Sequence, residues 1–295
     1  MASVTAGDLL TLPELHRLRA TSAWRGAGLV AHAWAVIAGA MLLYAIRPSA
    51  LTLAVAIVVI GGRQLGLAVL MHEASHWLLF PAQKANTRVG TWLCAAPVGN
   101  DLPAYRRAHH LHHRHARRPE DPDLALSPGS PLTRRALAGA LARDLLGWTA
   151  AARALAWRPT AGWRPLGHAL AANAVLLGGL AAAGQWHLYL LLWLLPLATW
   201  YQVVTRVRNV SEHGLVGDDD DPLRNARTTA AGWLARAALA PYWVNHHLEH
   251  HLLVFVPCWR LREAHALLLA KGHGPRMETA PGYLDVLRRT APAGA

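Results

Sequence analysis

The sequence predicts an all-α integral-membrane fold: four transmembrane helices in two hairpins, with a cytoplasmic helical cap that holds a di-metal site. Three observations predict it. Apolar residues make up 53% of the 295-residue chain but fall in blocks; the arginines behind a formal charge of +12 fall between those blocks; and most of the eighteen histidines gather in three groups. Apolar runs of about 20 residues suit a bilayer core of about 30 Å, and Lys and Arg accumulate in cytoplasmic loops.

Taken in order, residues 1–23 carry Leu9, Leu10, Leu12, Leu15 and Leu18 at helical spacing without a signal-peptide core. They read as an amphipathic helix on the membrane surface or as a solvated helix. The first span runs over about 24–46 and stops at Arg47-Pro48-Ser49; the second, about 51–71, returns across the membrane and delivers His72. Arg63 interrupts the second span, so it must face the interior, pair with an acid or mark an earlier helix end. Val89 to Val98 is apolar but too short to cross and reads as re-entrant or interfacial. A second hairpin follows at about 167–183 and 186–205, split by Gly184-Gln185. Four crossings put the N-terminus, 72–166 and 206–290 on one side, and the arginines of those segments make it cytoplasmic. The chain is thus read as a single domain over 1–295, multi-pass in a bacterial inner membrane, with both termini and the site cytoplasmic. Asp218 to Asp221 reads as a solvated loop, since the spaced ligands of a calcium loop are missing.

The histidines require chemistry. His72 and His76, in His72-Glu73-Ala74-Ser75-His76, stand at i and i+4 on one helix face, where two imidazoles can share a metal. That pattern alone also fits a zinc protease with Glu73 as general base. His109, His112 and His113 form an i, i+3, i+4 set that converges on one face, and His247, His250 and His251 repeat it. Massed imidazoles repel when protonated and cost desolvation when neutral and unpaired, so metal coordination is the economical reading. Eight ligands are too many for one zinc and suit two ions. Nitrogen-rich ligation suits iron, copper, nickel or zinc; iron is preferred because breaking an unactivated C–H bond with oxygen needs a redox metal.

At these residues the chain resembles the membrane fatty acid desaturase and hydroxylase family, whose hallmark is three histidine boxes. The resemblance covers roughly Val69 to Leu269. It includes Tyr105-Arg106-Arg107 before the second box, Asp121-Pro122-Asp123 after it, and Arg208-Asn209-Val210-Ser211-Glu212-His213-Gly214 before the third. It implies two Fe ions, O2 as co-substrate, a fatty-acyl or similar lipid substrate, and electrons from a separate donor protein of ferredoxin or haem-cytochrome type. Carried over, the ligands are His72, His76, His109, His112, His113, His247, His250 and His251, with His213 as one more. Glu73, Asp121, Asp123 and Glu249 are implied acceptors that orient ligand N–H groups. His246 stands where an aromatic residue is expected, and Val254 where a proline is, which bears on the substrate pocket.

The resemblance implies desaturation or hydroxylation of a chain held in an apolar tunnel, with a carotenoid, sterol, sphingolipid or alkane oxygenase as the alternative. Trp77, Trp92, Trp200 and Trp243 are candidates for tunnel walls or interface anchors. An intramembrane zinc protease would leave two boxes unexplained, and a metal transporter would want ligands near the midplane on broken helices. Nucleic-acid binding lacks a soluble basic face with aromatic context. Cys94 and Cys258 offer neither a disulfide framework nor a ferredoxin-like set, and no His-Pro-Gly-Gly haem signature occurs, so the electron donor is a separate protein.

Overall fold

The first two long helices begin where a hydroxyl meets their free N–H groups. Ser22 Oγ accepts the Arg25 N–H, and Ser49 and Thr52 cap one another at 3.0–3.1 Å, so the Arg47-Pro48 turn leads directly into the next helix. The computed structural model describes residues 4–127, 129–156, 162–216 and 221–293. Its helices, in chain order, are α1 (Ala6–Leu9), α2 (Leu12–Leu18), α3 (Ala23–Ile46), α4 (Ala50–Ser75), α5 (Gln83–Val89), α6 (Leu102–His115), α7 (Arg134–Leu145), α8 (Trp148–Ala156), α9 (Arg164–Ala182), α10 (Leu195–Ala198), α11 (Trp200–His213), α12 (Trp233–Ala238), α13 (His247–Leu252), α14 (Cys258–Ala270) and α15 (Tyr283–Thr290). The two-residue strands β1 (Thr228–Thr229) and β2 (Thr279–Ala280) pair in parallel. Asp218, Asp219 and Asp220 lie outside the described residues; Asp221 accepts Arg276 Nη2 at 3.1 Å.

Among the described residues, four helices are long and apolar enough to cross a membrane: α3, α4, α9 and the continuous run Tyr189–His213, in which a π-helical turn, α10 and α11 follow one another. Two of them continue past the ends expected at 71 and 205, to Ser75 and His213, because these helices carry histidines beyond the apolar stretch. Helix α4 is central: 67% of its apolar window is buried, against 6% for α9. Its glycines permit that. A Cβ at Gly62 would stand 2.9 Å from the Ala238 carbonyl and one at Gly66 2.8 Å from the Tyr242 ring, so side chains there would push α12 and Tyr242 away.

Arg63 sits between those glycines and is 5% exposed. It faces inward, as an arginine at this depth must, but its Nη2 partners are carbonyls: Arg236 at 3.1 Å and Ala237 at 2.6 Å. It thus satisfies acceptors that the end of α12 leaves open. Gln64 likewise donates to the Trp193 carbonyl at 2.8 Å, tying α4 to the fourth long helix.

The 89–98 segment is helical and short, a π-helical turn over Gly90–Ala95 and a 3-10 turn over Ala96–Val98, with Trp92 and Leu93 exposed. Asn173 pins α9 to it. Its Nδ2 donates to Ala169 O at 2.9 Å and Pro97 O at 3.3 Å, while its Oδ1 accepts Tyr189 Oη and Trp193 Nε1, each at 3.0 Å. With α9 otherwise so little buried, Asn173→Ala should cost about 1–2 kcal/mol and lower the thermal midpoint of the detergent-solubilised protein; an unchanged midpoint would show that α9 docks by apolar contact alone.

The N-terminal leucine face meets protein. Leu15 and Leu18 are buried, and ion pairs Arg17–Glu263 (2.8 Å) and Glu14–Lys271 (3.1 Å) fasten α2 along α14. Leu15 and Leu18 thus pack on protein beside α14, while Leu12 of the same helix stays 72% exposed. Helices α5 and α6 also pack on α4, and α7 and α15 on α11.

Candidate metal centre

Four helices bring nine histidines together. His72 closes α4 with His76 at its C-cap, His109, His112 and His113 line α6, His213 ends α11, and His247, His250 and His251 occupy α13. They form two groups: His72, His76, His109, His113 and His250 in one, His112, His213, His247 and His251 in the other. The second and third boxes are therefore divided, against the expectation that each presents one face. At about 100° per residue, positions i and i+4 lie 40° apart while i+3 and i+4 differ by 100°. Thus 109 and 113 go together and 112 turns to the other group; 247 and 251 go together and 250 crosses over.

The contacts within the groups are nitrogen against nitrogen. His250 Nε2 lies 2.9 Å from both His72 Nε2 and His113 Nε2, and His113 Nε2 lies 2.9 Å from His109 Nε2. In the other group the Nε2 atoms close a ring: 112 to 213 at 3.1 Å, 213 to 247 at 2.8 Å, 247 to 251 at 3.1 Å and 251 to 112 at 3.3 Å. The outer nitrogens show why this ring is a ligand set. His112 Nδ1 donates to Asp121 Oδ1 at 2.8 Å and His213 Nδ1 to the Asn225 carbonyl at 3.2 Å, so both imidazoles turn unprotonated Nε2 lone pairs toward each other. Two lone pairs at 3.1 Å repel unless a cation lies between them. Nitrogens bound to one ion at about 2.0–2.1 Å stand roughly 3 Å apart, so the donor set fits a metal in each group.

An acid braces the outer nitrogen of His112 and others lie near those of His72 and His247, as suits metal-binding imidazoles, while Nδ1 of His109, His113 and His250 is buried without a hydrogen-bond partner. Asp121 also accepts the Arg117 and Asp123 N–H groups at 3.0 and 2.8 Å. Burial works to raise its carboxyl, but the His112 hydrogen bond and these two N–H groups hold it below the ordinary aspartate range. Glu73 Oε1 lies 3.3 Å from His72 Nδ1, and its Oε2 accepts the Cys258 N–H at 2.8 Å, linking the first box to the start of α14. Glu212 Oε1 lies 3.5 Å from His247 Nδ1 and is gripped by Arg208 Nε at 2.6 Å. The sequence reading gave this pair no role, although its i, i+4 spacing just ahead of His213 places it on the ligand-bearing helix. Two expected acceptors do otherwise. Asp123 supports Asp121 through its backbone N–H. Glu249 points away from all nine histidines, accepting the Thr228 hydroxyl and His265 Nδ1, because it lies across α13 from 247, 250 and 251.

Burial disfavours protonation of six of these imidazoles. It depresses His109, His113, His247, His250 and His251 well below the usual histidine range, reinforced by the charges of neighbouring imidazoles, and brings His76 to about 3. Tyr105 stacks on His109 at 5.1 Å, and Arg106 donates to the Ala74 and Ser75 carbonyls at 2.9 Å while lying 3.6 Å over the Trp77 ring. Left-handed backbone recurs beside these elements: Trp77 follows His76, Arg117 follows α6, Leu215 follows His213, and Tyr242 and Trp243 precede α13. Non-glycine residues in that conformation cost of order 1–3 kcal/mol and cluster at functional sites.

Two histidine groups that can each hold a metal stand beside the ends of the apolar helices α4 and α11, and residues 48–280 match the sequence model of the family described as Fatty acid desaturase. The chain belongs to the fatty acid desaturase family. Among curated proteins it is similar to a dihydrorhizobitoxine desaturase of Bradyrhizobium elkanii, 27% identical over 88% of this chain and 77% of that protein. It is also similar to a beta-carotene ketolase of Paracoccus sp. (strain PC1), 28% identical over 66% of this chain and 72% of the relative. Membership in this family, with four membrane-length helices, makes the chain a membrane oxidoreductase with histidine clusters that can hold metal.

Within that family site, Asp121→Asn isolates one brace. The variant keeps the size of the side chain and removes the charge that holds His112, so metal affinity should fall about 10- to 100-fold, read by competition with a chelator; an unchanged affinity would show that Asp121 only shapes the 117–123 turn.

Proposed function

We propose that the nine histidines hold two iron ions and that the protein is an O2-dependent oxidoreductase that desaturates a fatty-acyl or related lipid chain at the cytoplasmic membrane face. The observation that carries the proposal is the pair of imidazole groups whose Nε2 lone pairs face one another at 2.8–3.3 Å. Iron, when bound, supplies the redox chemistry to break an unactivated C–H bond with O2. Desaturation balances as –CH2–CH2– + O2 + 2 electrons + 2 protons → –CH=CH– + 2 H2O. On this reading those electrons come from a separate ferredoxin or haem-cytochrome protein; Cys94 and Cys258 are separate buried thiols.

The chain's own residues contribute order and exclusion of water. Asp121 and the Asn225 carbonyl keep the proton on Nδ1 of His112 and His213, leaving Nε2 free to bind metal. Glu73 couples His72 to α14, and Arg208 holds Glu212 against His247. The buried walls around His72, His247 and His250 include Val69, Tyr242, Val244 and Leu261, which keep bulk solvent from this side of the site. The arginine-rich segments between the apolar helices support a cytoplasmic placement.

The similarity to a ketolase favours a second reading, oxygenation of an apolar substrate such as a carotenoid. Metal analysis of the iron-supplied, detergent-purified protein, followed by incubation with reductant, O2 and a panel of acyl lipids and carotenoids, tests both. About two irons per chain and a product two hydrogens lighter support desaturation; a product one oxygen heavier moves the reading to oxygenation. A single zinc, indifferent to the second histidine box, defeats both.

A further inference from the structure

Glu249 is wholly buried, yet it lies on the side of α13 opposite His247, His250 and His251 and touches none of the nine histidines. Its neighbours are other donors. His265 Nδ1, from α14, lies 2.6 Å from Glu249 Oε1; Thr228 donates its hydroxyl to Oε2; and His246, the residue just before α13, places Nδ1 3.7 Å from Oε2. That His246 Nδ1 is buried and has no hydrogen-bond partner. An ion pair between His265 and Glu249 accounts for two of the three side chains and leaves the third nitrogen unexplained.

We propose that His246, Glu249 and His265 form a third metal site, separate from the two histidine groups, that binds one Zn2+. The ligand atoms of the three side chains all lie within 4.8 Å of one another. Two imidazole nitrogens and one carboxylate oxygen make a recurrent three-ligand zinc set, with a water in the fourth position. Donors bound to one tetrahedral zinc stand about 3.3 Å apart. The 2.6 and 3.7 Å contacts bracket that spacing, so small side-chain adjustments admit the ion in place of the proton now shared by His265 and Glu249. The side chains of His246 and His265 are 12% and 23% exposed, which gives the ion and its water a path from solvent. Bound there, zinc would fasten α13 to α14 from the side facing away from the paired groups. The proposal stands apart from the iron reading, since it uses none of the same ligands.

The test uses the full chain, purified with iron, exposed to Zn2+ and desalted before metals are counted. The expected result is about one zinc per chain beyond the iron, lost in His265→Gln while the iron remains. Glutamine can still donate an N–H to Glu249, so the variant keeps the tie between helices and removes only the imidazole ligand. Absence of retained zinc in the parent protein, or zinc that survives His265→Gln, overturns the site. Should the variant also lose iron, zinc K-edge absorption of the parent protein decides: a first shell of two imidazoles and a carboxylate upholds the site, and an all-imidazole shell overturns it.

Discussion

Replacing His109, His112 and His113 together by alanine should take the protein from about two irons per chain to nearly none and abolish turnover. The expectation follows from the way α6 divides its ligands. His109 and His113 are two of the five imidazoles in one group, and His112 is one of four in the other, so the triple variant strips both. Metal sites need their full donor count to hold an ion against water. The control is His110→Ala or His115→Ala, residues on the same helix that belong to neither group; these should retain both irons. Metal content near that of the parent in the triple variant would refute the assignment of α6 as the shared ligand helix, and loss of metal in the controls would point to collapse of the helix instead.

Acid should unfold the metal-free protein steeply. The folded-state values of His109, His113, His247, His250 and His251 lie well below the unfolded value, and that of His76 lies at about 3. With an unfolded histidine near 6.5, the unfolded chain binds more protons between that pH and the folded-state value, so stability falls as pH drops from about 6.5 toward 3. Each such imidazole contributes up to about 1.4 kcal/mol per pH unit. Several acting together exhaust a typical reserve of about 5–15 kcal/mol within a few pH units. Asp121 works in the same direction, since its carboxyl is held low in the fold and its contribution is lost on protonation. Denaturant titrations of the metal-free protein at pH 7, 6 and 5 should show this decline, and metal should displace it to lower pH because proton and metal compete for Nε2. Equal stability at all three pH values would mean that the imidazoles are far more accessible than the fold places them.

Much of this was legible in the sequence where a signal is local. The four long helices fall within a few residues of the apolar blocks, and the nine histidines were recognisable from i, i+3, i+4 spacing together with the Arg208 to Gly214 segment. The division of the boxes was not. Whether His112 serves the same ion as His113 depends on the positions of His213 and His247, which are more than ninety residues away in sequence, and helical spacing alone cannot express that. The braces show the same limit. Asp121 is near enough to His112 in sequence to suspect, whereas the Glu212 contact with His247 and the Glu73 contact with Cys258 arise only when α11, α13 and α14 meet α4. Glu249 illustrates the converse: the family resemblance implied a bracing role, and helix geometry turns it to the opposite side, toward Thr228 and His265. For Arg63 the sequence left three alternatives open, and only the tertiary fold selects the inward-facing one, with carbonyl partners on α12.

If each group holds an ion as proposed, the crossing of His112 and His250 would make the two ions interdependent. Helix α6 sends two imidazoles to one group and one to the other, and α13 does the reverse. Whichever ion arrives first fixes the rotation and depth of both helices, and by doing so sets the remaining donors at the distance the next ion needs. Loading should accordingly be cooperative: at half saturation the population would divide into chains with both ions and chains with none, and singly loaded chains would be scarce. A protein built in this way guards against idle half-filled sites, since the geometry that admits one metal is the geometry that recruits its neighbour.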